Sequence, residues 1–197
     1  MELILIRHGL PEHVVTDDGS PADPPLAEQG HVQAAATAGH LSLDGVDRIY
    51  SSPLRRAHQT ALPLAEKLGL EIDVEPRIAE YDRDSDTYVP LEQLRRTNYA
   101  EWKEFMKLGY PPGMDLEQFF VDVVAAMEEI IDTNRGRRVA VACHGGVINA
   151  WAAHVLGMGF QLFFDARYAS INRFMAASSG ERSVISLNEA VHLRGLV

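Results

Sequence analysis

The sequence predicts an α/β protein: a three-layer sandwich with a mostly parallel sheet, one antiparallel edge strand and a small inserted cap. Short apolar, strand-like runs alternate with longer helical patterns, as in parallel sheets whose strands are joined by helices. The last two strand-like runs are separated by a Ser-Ser-Gly turn, which is typical of an antiparallel hairpin. Between residues 81 and 114 the alternation breaks down, which indicates an insertion over one edge of the sheet.

The elements of the first half are separated by turn and capping signals. The loop from Leu10 to Pro25 is rich in Asp, Gly, Ser and Pro, and Ser51-Ser52-Pro53 opens a helix. The two serines are suited to capping the free amides of that helix, and proline is tolerated in its first turn. The predicted elements are a strand over Glu2–Ile6, a helix over Ala27–Leu41, a strand over Val46–Tyr50, the helix from Ser51 to about Leu68, and a strand over Leu70–Val74.

The second half repeats this alternation and ends in the hairpin. Asp115 is placed to cap a long helix with one apolar face, and a buried strand stops at His144-Gly145-Gly146. We therefore expect one domain over residues 1–197, with the cap at about 81–114. The predicted elements are a helix over Leu116–Ile131, a strand over Val139–Ala142, a helix that ends at Leu156, and hairpin strands over Ser170–Ala176 and Ser183–Leu187.

The composition narrows the class of protein. The net charge is −10, from 28 acidic and 18 basic side chains, and no run of Lys or Arg rises above this background. We therefore expect no nucleic-acid partner. The single cysteine, Cys143, excludes an internal disulfide, and no apolar run approaches the length of a membrane span. Because a signal-peptide pattern is also absent, we expect a cytoplasmic protein with no membrane partner.

Chemically versatile side chains follow the predicted strands at the points where the strands end. Arg7-His8-Gly9 ends the first strand, Arg55 and Arg56 follow the second, Glu80 follows a strand-like segment, and His144 ends another. In open α/β sheets ligands bind at the carboxyl ends of the strands, so we expect these side chains to meet at one edge. Arginine donors suit phosphoryl oxygens, and a histidine can be neutral and nucleophilic near pH 7. A phosphoryl group is the natural occupant of this cluster.

Four sequence blocks carry a resemblance to a known family. They are, in order, LILIRHG, PPLAEQGHVQAA, SSPLRRAHQTA and VACHGGVI. With these blocks the chain resembles the histidine phosphatase superfamily, in the branch related to cofactor-dependent phosphoglycerate mutase. The resemblance covers nearly the whole chain and is weakest over the cap.

The resemblance implies catalytic roles for five residues. His8 would be the nucleophile that forms a phosphohistidine intermediate, and Arg7, Arg56 and His144 would hold the phosphoryl oxygens. The family pattern places its arginine directly before an alanine, which selects Arg56 from the two adjacent arginines. Glu80 matches the general acid, which protonates the leaving alkoxide and can then activate water.

Further contacts are expected around these five residues. Gly145 and the cap residue Arg83 are predicted to bind substrate, with Arg95 as the alternative cap arginine for a second anionic group. Asp82 is either a second acid or a charge of the cap. Because arginines take the place of a cation, no metal and no cofactor are expected. The sequence contains neither of the metal-binding spacings HxH and HExxH.

Three positions depart from the family pattern. Many members have Thr where this chain has Pro11, Asn where it has Val14, and Thr or Ser where it has Ala27. The asparagine normally helps to bind phosphate, so that contact is missing or supplied elsewhere, with His13 as one candidate. The same core reaction is expected despite these departures, but the sequence does not identify the substrate.

The leading hypothesis is a metal-independent phosphatase, of the histidine-type acid phosphatase or phosphomonoesterase class, that acts on a small phosphorylated metabolite. One alternative is phosphoryl transfer of the phosphoglycerate mutase type. Another is a non-catalytic phosphate-binding interaction module. A phosphohistidine protein as substrate also stays open, and an exposed edge strand or cap face could support a homodimer.

Overall fold

The computed structural model describes residues 1–108, 115–159 and 161–196. The strands in these ranges are β1 (Glu2–Arg7), β2 (Val14–Val15), β3 (Arg48–Ser51), β4 (Ile72–Val74), β5 (Thr87–Tyr88), β6 (Arg138–Cys143), β7 (Ile171–Ala176) and β8 (Arg182–Glu189). The α-helices are α1 (Glu28–Leu41), α2 (Arg55–Leu68), α3 (Leu91–Thr97), α4 (Tyr99–Leu108), α5 (Leu116–Thr133) and α6 (Gly145–Val155). Short 3₁₀ helices lie at Pro76–Ile78 and Val191–Leu193.

The main sheet has the strand order β4-β3-β6-β1-β7-β8. Pairing is parallel from β4 through β1, and β7 runs antiparallel to both β1 and β8. The α/β class with a mostly parallel sheet is therefore confirmed. The hairpin lies at the edge as predicted, but its antiparallel strand β7 is one position inside the sheet and β8 forms the edge.

The apolar run of β1 is buried on both faces of the sheet. Leu3 and Leu5 belong to the core cluster that α5 and α6 cover, whereas Ile4 and Ile6 belong to the cluster that α1 and α2 cover. Alternate residues of a strand point to opposite faces, so a strand with a helical layer on each side needs apolar residues at every position. The LILI run thus places β1 at the centre of the three layers.

The start of α2 differs from the sequence prediction. The helix begins at Arg55, whose N–H donates to the Asp23 carboxylate at 3.0 Å. The Ser52 hydroxyl accepts from the N–H of Leu54, one position ahead of the helix, at 3.3 Å. A carboxylate from the preceding loop therefore supplies the contact that was expected from the serines, and it leaves the Ser52 hydroxyl available to the site.

The strand predicted before Glu80 is present as β4, and a 3₁₀ helix, Pro76–Ile78, lies between that strand and Glu80. Beyond it, β5 forms a two-stranded antiparallel ladder with β2, in which Val14 is opposite Tyr88. The predicted cap continues through α3 and α4, and its end at residues 109–114 lies outside the described residues. None of the helices described here combines the length and apolar character that crossing a membrane requires.

Candidate active site

Three adjacent parallel strands end side by side at one edge of the sheet. The N–H of His8 donates to the carbonyl of Cys143 at 3.0 Å, and the N–H of Ser52 donates to the carbonyl of Ala142 at 2.9 Å. The residues that follow β1, β6 and β3 are therefore neighbours. This backbone arrangement brings His8, His144 and Ser52 together, as the strand-end argument predicts.

His8 is a buried, neutral imidazole with one nitrogen in a fixed role. The side chain is 2% exposed, and Nδ1 lies 2.8 Å from the carbonyl of Gly9. A nitrogen that faces a carbonyl must carry the proton, so Nε2 holds the lone pair. Burial, and then the charges of Arg56 and Arg7, lower the pKa of His8 well below its usual value. Nε2 is thus available as a nucleophile.

His144 stands against His8 with a ring-centroid distance of 5.2 Å. Its Nε2 lies 2.7 Å from the hydroxyl oxygen of Ser52, and among the described residues its buried Nδ1 has no hydrogen-bond partner. Burial lowers the pKa of His144, and the charges of Arg56, His8 and Arg7 lower it further. The Ser52 oxygen accepts from the N–H of Leu54, so its own proton can be donated to Nε2. Nδ1 then carries the proton and can donate to a ligand.

Arg7 and Arg56 bring cationic hydrogen-bond donors close to the two histidines. Arg56 is 1% exposed, and its Nε and Nη2 have no hydrogen-bond partner within the described ranges. The nearest carboxylate oxygens, from Asp82 and Asp23, are 3.5 and 3.9 Å from its terminal nitrogens. Arg7 donates through Nη1 to the carbonyl of Ala166. Unsatisfied buried donors on a cation are costly, so an anion between these side chains would be strongly stabilised.

Glu80 is held against the start of α6. The N–H of Gly146 donates to Oε2 at 2.8 Å, and the N–H of Tyr81 donates to Oε1 at 3.2 Å. Burial, and then the negative charge of Asp82, raise the pKa of Glu80 to about 7. A carboxyl group with this pKa exchanges a proton readily near neutral pH, as acid–base catalysis requires.

Gly146 is explained by close approach, whereas Gly145 is not. A Cβ at Gly146 would overlap the Glu80 carboxylate, and a Cβ at Gly145 would lie 3.7 Å from Nε of Arg7. Both residues belong to the first turn of α6, whose free N–H groups and positive dipole end favour an anion. The absence of a side chain at Gly146 therefore allows the Glu80 carboxylate to pack against this helix terminus.

Three residues considered from the sequence lie away from these contacts. The Arg83 side chain is half exposed, and its Nε is 3.6 Å from the carboxylate of Asp84. Arg55 and His13 are also exposed. The role of Arg83 in substrate binding stays a prediction, and the exposure of His13 gives no support to its replacing the phosphate contact absent at Val14.

Four residues of this region were not singled out from the sequence. Besides Ser52, they are Thr60, whose hydroxyl accepts from the N–H of Gly9 at 2.9 Å, and two tyrosines. Tyr168 lies under the guanidinium of Arg7, 3.9 Å from ring centroid to Cζ, and Tyr88 lies under that of Arg56 at 4.5 Å. Thr60 and Ser52 belong to the SSPLRRAHQTA block and could have been found there, whereas isolated tyrosines have no spacing signal.

Comparison with known families identifies the class of protein to which this fold and this cluster of strand-end residues belong. The model of the histidine phosphatase superfamily (branch 1) matches residues 3–189. The chain belongs to this superfamily, which confirms the resemblance found in the four blocks.

Known relatives include phosphatases and a mutase-like protein. Phosphoserine phosphatase 1 of Hydrogenobacter thermophilus is 30% identical over 199 residues, covering 98% of this chain and 94% of that protein. The protein named Probable phosphoglycerate mutase GpmB of Enterobacter sp. (strain 638) is 26% identical over 165 residues, covering 80% and 76%. A phosphoserine phosphatase of Entamoeba histolytica, crystallised as a variant with phosphoserine, is 24% identical with a TM-score of 0.75 and covers 98% of both chains. This structural likeness shows the shared fold.

Proposed function

We propose that the protein is a metal-independent phosphatase that hydrolyses a small phosphomonoester through a phosphohistidine formed on Nε2 of His8. The observation that carries this proposal is the state of His8: buried, neutral, protonated on Nδ1, and close to two arginines. Membership of the histidine phosphatase superfamily and a 30% identical phosphoserine phosphatase relative support the reaction class.

In the first step, Nε2 of His8 attacks phosphorus and the bond from phosphorus to the ester oxygen breaks. Arg7, Arg56 and Nδ1–H of His144 stabilise the charge on the transferring oxygens, and preorganised donors of this kind are a major source of catalysis. The proton of Glu80 passes to the leaving oxygen, which departs as an alcohol. Glu80 is left as a carboxylate.

In the second step, Glu80 accepts a proton from water as that water attacks the phosphohistidine. The bond from nitrogen to phosphorus breaks, inorganic phosphate forms, and His8 returns to its neutral state. Because the acid form of Glu80 is populated below about pH 7, the first step is favoured under mildly acidic conditions, as in an acid phosphatase.

The substrate that we propose is a small phosphorylated metabolite. A 30% identical relative of this chain carries the name phosphoserine phosphatase, which is by name a hydrolase of a small phosphomonoester. We further propose that residues 1–197 form one domain in which the segment 81–114 acts as a cap. Phosphoryl transfer of the mutase type is the second candidate, because of the 26% identical relative named as a phosphoglycerate mutase.

The test is hydrolysis of p-nitrophenyl phosphate in the presence of EDTA. We expect the purified protein to release phosphate, and we expect His8→Ala to reduce the rate to background. His31→Ala, at an exposed position of α1, is the matched control and should keep full activity. Turnover by the His8→Ala variant above background would contradict the covalent mechanism. With 3-phosphoglycerate, release of free phosphate favours the hydrolase, whereas accumulation of 2-phosphoglycerate favours the mutase.

A further inference from the structure

One carboxylate of the cap lies beside the phosphoryl-binding donors and takes no part in the proposed reaction. Oδ1 of Asp82 is 3.5 Å from Nη2 of Arg56, which allows charge pairing, but the two atoms form no hydrogen bond. Oδ1 is buried, and among the described residues it has no hydrogen-bond partner. Because an ionised carboxylate can only accept hydrogen bonds, Oδ1 lacks a donor, and a ligand could supply one.

The turn after Glu80 holds Asp82 in place. The N–H of Arg83 donates to the carbonyl of Glu80 at 3.1 Å, and the N–H of Ser85 donates to the carbonyl of Asp82 at 2.9 Å. The carbonyl of Ser85 accepts from the N–H of Ala22 at 2.7 Å, which joins this turn to the loop that precedes α1. Backbone hydrogen bonds therefore fix the position of Asp82 relative to Glu80 and to that loop.

The second carboxylate near Arg56 already has a structural partner. Asp23 lies 3.9 Å from Nη1 of Arg56, and its Oδ1 accepts from the N–H of Arg55 at the start of α2. Of these two carboxylates, only Asp82 has a buried oxygen without a donor. Burial raises the pKa of Asp82 and the charge of Arg56 opposes this shift, so a further cation would stabilise the ionised form.

The charge of Asp82 disfavours a second anionic group on the substrate and favours a cationic one. The cap arginines considered for a second anion have other contacts: Arg83 is 3.6 Å from the carboxylate of Asp84, and Arg95 lies over the ring of Trp102 at 5.1 Å. An ammonium group supplies both the positive charge and the hydrogen-bond donors that Oδ1 of Asp82 lacks. Because hydrogen bonds between charged groups are the stronger kind, this contact can discriminate between the two classes of substrate.

We propose that Asp82 is a specificity-determining residue that binds an ammonium group, so that the preferred substrate is the phosphate monoester of an amino alcohol. A phosphoryl oxygen contacts Nη2 of Arg56, and the ammonium contacts Oδ1 of Asp82. Because these two atoms are 3.5 Å apart, the ammonium has to lie only a few bonds from the phosphoryl group. The inference rests on the phosphatase function proposed above and adds the chemical class of its substrate.

The experiment compares the affinities of the wild-type protein for three phosphonates, measured by calorimetry. 2-Aminoethylphosphonate carries an ammonium, propylphosphonate carries a methyl group at the same position, and 3-phosphonopropionate carries a carboxylate there. These ligands contain no phosphate ester bond, so binding is measured without turnover. We expect the ammonium ligand to bind about 10–100-fold more tightly than the methyl ligand, the effect of one hydrogen bond between charged groups. The carboxylate ligand should bind more weakly than the methyl ligand.

The variant Asp82→Asn should abolish the preference for the ammonium ligand, because the amide keeps the size of the side chain and removes its charge. The quantity compared is the ratio of the dissociation constants for the ammonium and methyl ligands. A purely structural role of Asp82 would weaken both ligands equally and leave this ratio unchanged. Asp84→Asn, at an exposed carboxylate of the same turn, is the matched control and should keep the wild-type ratio.

Equal affinities of the wild-type protein for the ammonium and methyl ligands would overturn the proposal, and this comparison does not depend on the folding of any variant. A preference that persists in Asp82→Asn, or tighter binding of the carboxylate ligand, would also overturn it. A wild-type protein that shows the preference but hydrolyses no phosphomonoester would contradict the proposed function and leave the role of Asp82 supported. Absence of binding of all three ligands would reject the phosphoryl site and the role of Asp82 together.

Discussion

The histidines and the glutamate of this site are held in their neutral forms, which means that the histidines lack the extra proton and the glutamate keeps its own. His8 and His144 are buried next to arginines, which keeps both imidazoles neutral, whereas Glu80 is buried next to Asp82, which keeps its carboxyl protonated up to about pH 7. Burial thus favours the neutral form of both histidines and of the glutamate. For a nucleophile and a general acid, the neutral form is the active one.

Replacement of Glu80 should affect substrates according to their leaving groups. Glu80→Gln keeps the shape and removes the acid, so we expect kcat/KM for an alkyl phosphate to fall by about 10²–10⁴-fold. The loss should be much smaller for p-nitrophenyl phosphate, whose leaving group needs no proton. Steady-state kinetics with both substrates provide the measurement.

An equal loss for the two substrates would contradict the role of Glu80 as the acid. The pH profile gives a second check. For the alkyl substrate, kcat/KM of the wild-type protein should decline as the pH rises through about 7, because Glu80 loses its proton there. In Glu80→Gln this decline should disappear.

Residues adjacent to strand ends could be predicted from the sequence, and residues that meet only in space could not. Arg7, His8 and His144 are marked by the apolar runs that precede them, so their meeting follows from parallel pairing. Tyr88, over Arg56, belongs to a two-residue strand, and Tyr168, over Arg7, belongs to the loop before β7, and neither segment has a periodic sequence pattern.

At the scale of elements, the first turns of α1 are packed directly on the loop that follows His8. A Cβ at Gly30 would overlap the carbonyl oxygen of Leu10, and a Cβ at Gly9 would lie 2.6 Å from the carbonyl oxygen of Gly30. Two glycines therefore allow a helix and a loop to approach at backbone distance. This contact fixes the course of the chain immediately after the proposed nucleophile.

Two glycine substitutions within α1 should have opposite effects on stability. Gly30→Ala introduces the overlap with Leu10, and we expect it to lower the free energy of unfolding by about 1–3 kcal/mol and to reduce activity. Gly39→Ala has open space around the new Cβ and should raise stability by about 0.5–1 kcal/mol through helix propensity. Urea denaturation of both variants measures the difference. Equal effects at the two positions would show that the close approach is unimportant.

The main elements were predictable because their signals are local. The predicted C-terminal end of α2 and the capping of α5 by Asp115 are confirmed, since Gly69 follows α2 in the left-handed conformation and Asp115 accepts from Gln118 N–H at 2.9 Å. The start of α2 was not predictable in detail, because its capping carboxylate, Asp23, comes from a loop more than 30 positions away. The β2–β5 ladder is too short to produce an alternating pattern.

At the scale of the whole molecule, two buried neutral histidines make the fold sensitive to acid. Below the usual histidine pKa of 6.5, the unfolded chain binds a proton at each position and the folded protein does not. Stability therefore falls as the pH decreases below about 6.5. The raised pKa of Glu80 acts in the opposite direction between about 4.5 and 7, and two histidines outweigh it.

The His8→Asn variant should weaken this acid sensitivity. We expect the difference in unfolding free energy between variant and wild type to be constant above pH 6.5. Below that pH it should change in favour of the variant by up to about 1.4 kcal/mol per pH unit, the value for one proton. Chemical denaturation from pH 5 to 8 provides the measurement, with His31→Asn at an exposed position as control. A parallel pH dependence in His8→Asn and wild type would contradict the buried, neutral state of His8.

The central position of β1 has a consequence for biosynthesis. Leu3 is paired with Val139 on one side and with Phe174 on the other, so β1 leaves the ribosome long before either of its partner strands. At ordinary elongation rates the LILI segment waits roughly 10–30 s before β7 is complete. During that time an apolar strand with two open edges is exposed to nascent neighbours and chaperones. Arg7 and His8 reach their working positions only after β7 has emerged.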